Sequence, residues 1–281
     1  MAVAEVNGTG LHYETAGDRG PPLLLLMGLR ARGLAWGPVV EHLARDHRVV
    51  WYDHRGVGES RSLDAPTSMA QMAADGVGLM DHLGWETAHV AGVSMGGMIA
   101  QHLVLDHQPR VRSATFIVTT AHGKGLRDTD LKTLWRYAGT FFGSRDRRLA
   151  ALARMLYSAE YLEEAGVDPV VERMKDAFGH DHPGTARAQL QAIRGHDTRP
   201  RLADARLPAL VIGAGSDCIV PERHAQRLHA ELPDAEYVSF PNASHGVVSE
   251  EAEAVSARIS RLIARVESMR RNQPAMGHEV S

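Results

Sequence analysis

The mostly apolar run Ala88-His89-Val90-Ala91 leads into Gly92-Val93-Ser94-Met95-Gly96-Gly97, and then into the helix-like Met98-Ile99-Ala100-Gln101-His102-Leu103-Val104. Strand, sharp turn, helix is the context that exposes a nucleophilic serine at the end of a sheet strand. The Gly-x-Ser-x-Gly pattern alone is weak, since roughly 0.1–0.2 matches per chain arise by chance. The flanks decide. Gly92 and Gly96 suit a crowded, strained turn, and a serine between them is poorly placed for ordinary packing.

The segments on either side read as alternating strands and helices. Ala2–Val6 and Leu11–Thr15 flank the turn signal Asn7-Gly8-Thr9-Gly10 and form a candidate hairpin. Leu23-Leu24-Leu25-Leu26-Met27 is a strand buried on both faces. Further strands are expected at Arg48–Tyr52, Arg112–Thr119, Ala209–Gly213 and Glu236–Phe240. Helices are expected at Val39–Ala44, Ser68–Leu83, Pro221–Leu232 and Glu250–Val266. Such alternation argues for a mostly parallel sheet covered on both faces.

The alternation breaks over residues 121–203. That stretch has helical periodicity and holds seven aromatic residues, Trp135, Tyr137, Phe141, Phe142, Tyr157, Tyr161 and Phe178. It reads as a helical lid over the C-terminal strand ends, where open α/β sheets bind ligands; extra core helices are the plainer alternative. Residues 1–120 and 204–267 then form the core, and the polar tail 268–281 is expected to be disordered.

A serine hydroxyl needs a base, and the base an orienting acid. On this architecture the chain order is Ser, then Asp or Glu, then His. Asp217 follows the Ala209–Gly213 strand, and His245 follows the Glu236–Phe240 strand. Each sits just past a strand's C-terminal end, as Ser94 does. Sixteen histidines are present, so order and placement carry the weight, not histidine itself. The oxyanion donors are expected to be the backbone N–H groups of Met95 and of Leu29, in the loop Gly28-Leu29-Arg30 after the third strand.

On these motifs, together with Asp53-His54-Arg55-Gly56-Val57-Gly58-Glu59-Ser60 and Asn242-Ala243-Ser244-His245-Gly246, the chain resembles the α/β-hydrolase superfamily across roughly residues 3–267. It looks most like small serine esterases and lactonases, including enol-lactonase-like and polyketide methylesterase-like enzymes. The resemblance implies an eight-stranded, mostly parallel sheet with a helical cap. It also implies acyl-enzyme chemistry on Ser94, Asp217 and His245 without metal or organic cofactor. Many relatives carry His-Gly in the oxyanion loop, whereas this chain has Met27-Gly28, and methionine cannot donate the hydrogen bond that helps order the loop. The Asp53-His54-Arg55 segment is expected to be structural.

Gly28, Arg30, Trp36, Trp135, Tyr137 and Phe142 are candidates for the substrate pocket. Arg30 could meet a substrate carboxylate or be a solvated surface residue, and Trp36 could line the pocket or pack the first helix. His180-Asp181-His182 lacks the spacing and further ligands of a metal site. The net charge of −3 gives no electrostatic case for nucleic acid or an anionic membrane, and no apolar run is long enough to span a bilayer. The N-terminus has no signal-peptide pattern, and Cys218 is the only cysteine, so a cytoplasmic location is expected. The expected partner is a small ester or lactone with an apolar or aromatic part; an oligomer is compatible with the sequence. Two other functions remain open at this point. One is C–C bond cleavage, lyase or cyclase chemistry on the same triad, and the other is ligand reception with little turnover.

Overall fold

The computed structural model describes residues 2–61, 67–124, 140 and 142–272. Eight strands form one sheet: β1 (Ala2–Val6), β2 (Thr9–Ala16), β3 (Pro22–Leu26), β4 (Arg48–Tyr52), β5 (Ala88–Val93), β6 (Val111–Ile117), β7 (Ala209–Ala214) and β8 (Ala235–Phe240). Their spatial order is β1-β2-β4-β3-β5-β6-β7-β8. The pairs β1/β2 and β2/β4 are antiparallel and the rest parallel. The β1–β2 turn uses Asn7 and Gly8, both at positive φ, as a two-residue hairpin demands.

The period-two geometry of β3 splits its leucines between two cores. Leu24 and Leu26 pack beneath α2 (Met69–His82) and α3 (Met95–Asp106). Leu23 and Leu25 pack on the opposite face, with α1 (Gly37–Leu43) and the C-terminal helix. Helix α2 starts where Ser68 caps it by accepting from the Gln71 N–H. A continuous apolar strand is thus the consequence of helices on both faces.

Between β6 and β7 lies the helical lid insertion. Its described helices are α4 (Arg145–Leu156), α5 (Ala159–Ala165), α6 (Val167–Ala177) and α7 (Thr185–Gly195). Helices α4 to α6 share a small core of their own around Leu149, Ala153, Leu162, Val170, Val171 and Met174. After β7 come α8 (Arg223–Glu231), the short α9 (Val247–Glu250) and α10 (Ala252–Asn272).

Several boundaries differ from the sequence expectation, two of them with a readable cause. Helix α10 continues past Ser268 to Asn272. Glu267 is held there by Arg112 (3.0 Å) and His89 (3.1 Å), and Arg270 and Arg271 suit the negative end of the helix dipole. Strand β6 stops at Ile117, because Val118 turns to φ 41°, an unusual value for a β-branched residue. No described helix is long and apolar enough to cross a membrane.

Candidate active site

Ser94 follows β5 directly and precedes α3, at φ 56° and ψ −118°. Its neighbours explain the glycines. A Cβ on Gly92 would lie 2.2 Å from the Gly96 carbonyl oxygen, and one on Gly96 would lie 2.0 Å from that of Leu26. Side chains are therefore excluded on both sides of the serine. The strained backbone is held on three sides: the Ser94 N–H donates to Ile117 O (2.9 Å), while Ser94 O accepts from the Gly97 N–H (3.0 Å) and the Thr119 hydroxyl (2.7 Å). The turn at Val118 is what brings Thr119 to that carbonyl.

Gly28 abuts the serine. A Cβ built there would stand 3.4 Å from Ser94 Cβ and 3.9 Å from its Oγ. The Gly28-Leu29 loop therefore lies beside the hydroxyl. Among the described residues, neither the Leu29 nor the Met95 N–H has a backbone or side-chain acceptor. Free donors next to a serine are what a developing oxyanion requires.

The loop is ordered from a direction the sequence does not advertise. His54 is buried, and its Nε2–H donates to the Met27 carbonyl at 2.9 Å. The carbonyl can only accept, so the ring proton sits on Nε2. Burial lowers the His54 pKa, which keeps the ring neutral. The hydrogen bond that Met27 cannot make through its side chain is thus made to its backbone. Asp53 completes the support: its carboxylate accepts from the Gly33 N–H (2.7 Å), Arg32 Nε (3.2 Å) and the Glu59 N–H (3.1 Å). Arg55 makes a paired contact with Asp75, 2.6 Å at each nitrogen, across to α2.

Asp217 and His245 meet in the loops after β7 and β8. Asp217 Oδ2 lies 2.6 Å from His245 Nδ1, with both residues buried. Its other oxygen accepts from the Ile219 and Val220 N–H groups at 2.8 and 2.9 Å. One carboxylate therefore closes its own turn and orients the imidazole. Glu250 supports the histidine loop by accepting from the Ser244 N–H (3.1 Å) and, from the lid, the Ser158 N–H (3.3 Å). Burial raises the Glu250 pKa. Tyr157 of the lid lies against Gly246, where a Cβ would come within 2.4 Å of its ring.

Among the pocket candidates, Arg30 is committed elsewhere: its guanidinium holds Asp181 of the lid through contacts of 3.0 to 3.2 Å. Trp36 is fully buried in the core with Val39, Val40 and Leu43. Phe142 is 75% exposed and faces solvent. Trp135 and Tyr137 lie outside the described residues. His180 and His182 bond to the Lys175 and Ser60 carbonyls, and no cluster of three potential metal ligands occurs among the described residues. Nothing in the sequence singles out Thr119, Glu250 or Gln189: Thr119 and Gln189 reach the site through contacts distant along the chain, and Glu250 joins the nearby Ser244 to the distant Ser158.

The chain matches the alpha/beta hydrolase fold over residues 21–252. It is 31% identical over 247 residues to the protein named Putative carbamate hydrolase RutD from Azorhizobium caulinodans, covering 87% of this chain and 91% of that one. A protein of the same name from a Caulobacter species is 32% identical over 268 residues, covering 91% and 96%. The crystal structure of the enol-lactonase from Burkholderia xenovorans superposes with a TM-score of 0.81 at 28% identity, over 94% of this chain and all of that one. With its sheet order, its serine turn and these matches, the chain belongs to the alpha/beta hydrolase fold family.

Proposed function

We propose that this protein is a serine hydrolase of the esterase and lactonase type, in which Ser94 attacks the carbonyl of a small carboxylic ester or lactone. The observation that carries the reading is the Asp217–His245 contact together with a strained serine beside two N–H groups that have no partner among the described residues. His245 Nε2 takes the Ser94 proton as Oγ bonds to the carbonyl carbon. The Leu29 and Met95 N–H groups hold the resulting oxyanion. The tetrahedral intermediate then collapses, and the alkoxide leaves with the proton from His245; for a lactone it stays tethered as the hydroxyl end of the acyl chain. A water molecule, deprotonated by His245, cleaves the acyl-enzyme and frees Ser94. Asp217 fixes the imidazole tautomer and stabilises the imidazolium.

The substrate carries an apolar or aromatic part, a reading supported by the lid aromatics Tyr157 and Tyr161, whose rings lie 5.1 Å apart, with Tyr157 against Gly246 of the histidine loop. A carbamate is the second reading, favoured by the names of the RutD relatives, because serine can attack that carbonyl in the same way. Turnover of p-nitrophenyl butyrate, a γ-lactone and an aryl carbamate by wild type and Ser94→Ala tests both readings. Ester and lactone turnover that disappears in the variant is the expected result. Turnover of the carbamate alone would favour the second reading, and turnover unchanged in the variant would overturn both.

A further inference from the structure

The oxyanion loop is a turn in an unfavourable form. The Ala31 N–H reaches back to the Gly28 carbonyl at 3.4 Å, closing a four-residue turn with Leu29 and Arg30 at its centre. Arg30 has φ 59°, whereas Leu29 is not among the residues of positive φ. Negative then positive φ at the two central positions is the type II form, whose third residue is normally glycine or asparagine. An arginine there is disfavoured. Rotating the Leu29–Arg30 peptide would give the type I form and relieve the strain.

One residue of the lid opposes that rotation. Gln189 on α7 is fully buried, and its Oε1 accepts from the Arg30 N–H at 3.0 Å. In the rotated form the Arg30 N–H would point away from Oε1, and this hydrogen bond would be lost. Among the described residues, the amide nitrogen of Gln189 is buried without a partner. That orphan donor makes glutamine a poor choice for packing alone, because an unsatisfied buried amide is costly. The side chain is explained by its carbonyl. The same lid segment is tied down nearby: the Arg32 N–H donates to the Ala177 carbonyl (2.9 Å), and Arg30 holds Asp181.

We propose that Gln189 is a positioning residue for the reaction, a lid side chain that, by holding the Arg30 N–H, keeps the Gly28–Ala31 turn in its type II form and so steadies the loop that carries the Leu29 N–H. This inference rests on the serine-hydrolase reading. It assigns to the lid a part in building the oxyanion site, apart from covering the substrate.

The test is a set of variants assayed on p-nitrophenyl butyrate, with affinity for a phenylboronic acid measured alongside. Gln189→Leu removes the acceptor. The expected result is a fall in kcat of at least tenfold, a KM within threefold of wild type, and boronate affinity weakened in step with kcat. Gln189→Glu keeps an acceptor for the Arg30 N–H and should restore kcat to within threefold at pH 8. Arg30→Gly removes the penalty for positive φ. In that background the same Gln189→Leu change should cost less than threefold. A Gln189→Leu loss as large with Arg30→Gly as without it would overturn the proposal, as would Gln189→Leu at wild-type kcat. Amide hydrogen exchange in the peptide spanning residues 28–34 reads the turn without turnover, and should quicken in Gln189→Leu. Absence of ester turnover in wild type would sink the hydrolase reading, while unchanged exchange in Gln189→Leu would sink the latch.

Discussion

Asp217→Asn isolates the role of the carboxylate, because the surrounding turn dictates how the new amide must sit. One oxygen of Asp217 accepts from two N–H groups, Ile219 at 2.8 Å and Val220 at 2.9 Å. An amide NH2 cannot face those donors, so the asparagine oxygen takes that side and its nitrogen faces His245 Nδ1, now 2.6 Å from Oδ2. An N–H donor at that position demands a bare Nδ1 and drives the ring proton to Nε2. A protonated Nε2 cannot accept the Ser94 proton. The expected cost in kcat is about 10^4-fold, equivalent to about 5.5 kcal/mol in the barrier. Folding should change by less than about 1 kcal/mol, since both turn hydrogen bonds survive. Asp217→Ala makes the contrast: it loses the same activity and about 2 kcal/mol of stability besides, through two orphaned N–H groups. The assay is aryl-ester hydrolysis alongside urea denaturation. An Asp217→Asn protein that is folded and keeps more than one-tenth of wild-type kcat would show that Asp217 does not set the His245 tautomer for the reaction.

Gly96→Ala should destabilise the fold by about 3 kcal/mol and abolish turnover, because its methyl would collide with the Leu26 carbonyl in the strand beside the serine. Gly195→Ala, where a Cβ meets nothing within 4 Å, should stay within about 1 kcal/mol of wild type, as denaturant melts would show. Acid should weaken the fold through two histidines that burial holds down to a pKa of about 4, His89 and His196. In the unfolded chain such groups titrate near 6.5, so between those values the unfolded state binds more protons and stability falls as pH falls. Each contributes up to about 3 kcal/mol to that loss, and stability that stays flat from pH 7 to pH 4.5 would contradict it.

The sequence made the parts of the site carried by local pattern legible. Ser94 and Asp217 each follow a strand whose apolar run is readable, and His245 follows the alternating, aromatic-rich Glu236–Phe240, so their shared edge follows from parallel pairing alone. The glycines at 92 and 96 were readable because a tight strand-to-helix turn excludes side chains. What escaped depends on contacts between distant segments. His54 reaches the Met27 carbonyl from the end of another strand, supplying what a histidine at position 27 would otherwise give. Gln189 lies 159 positions from Arg30, and no periodicity in a lid helix marks which buried amide faces a turn. Arg30 is exposed, as a surface arginine would be, and the sequence does not show that it pairs with Asp181 of the lid. Helix α10 outran its apolar pattern because its last turns are fixed by charge, through Glu267, and not by burial.

As the nucleophile, Ser94 should be open to covalent capture. Wild-type protein treated with a fluorophosphonate should gain the mass of one phosphonyl group, and tandem mass spectrometry should place it on Ser94. His245→Ala should slow the labelling by orders of magnitude, and Ser94→Ala should abolish it. An adduct on a different residue, or a rapid Ser94-independent adduct, would rule Ser94 out as the nucleophile.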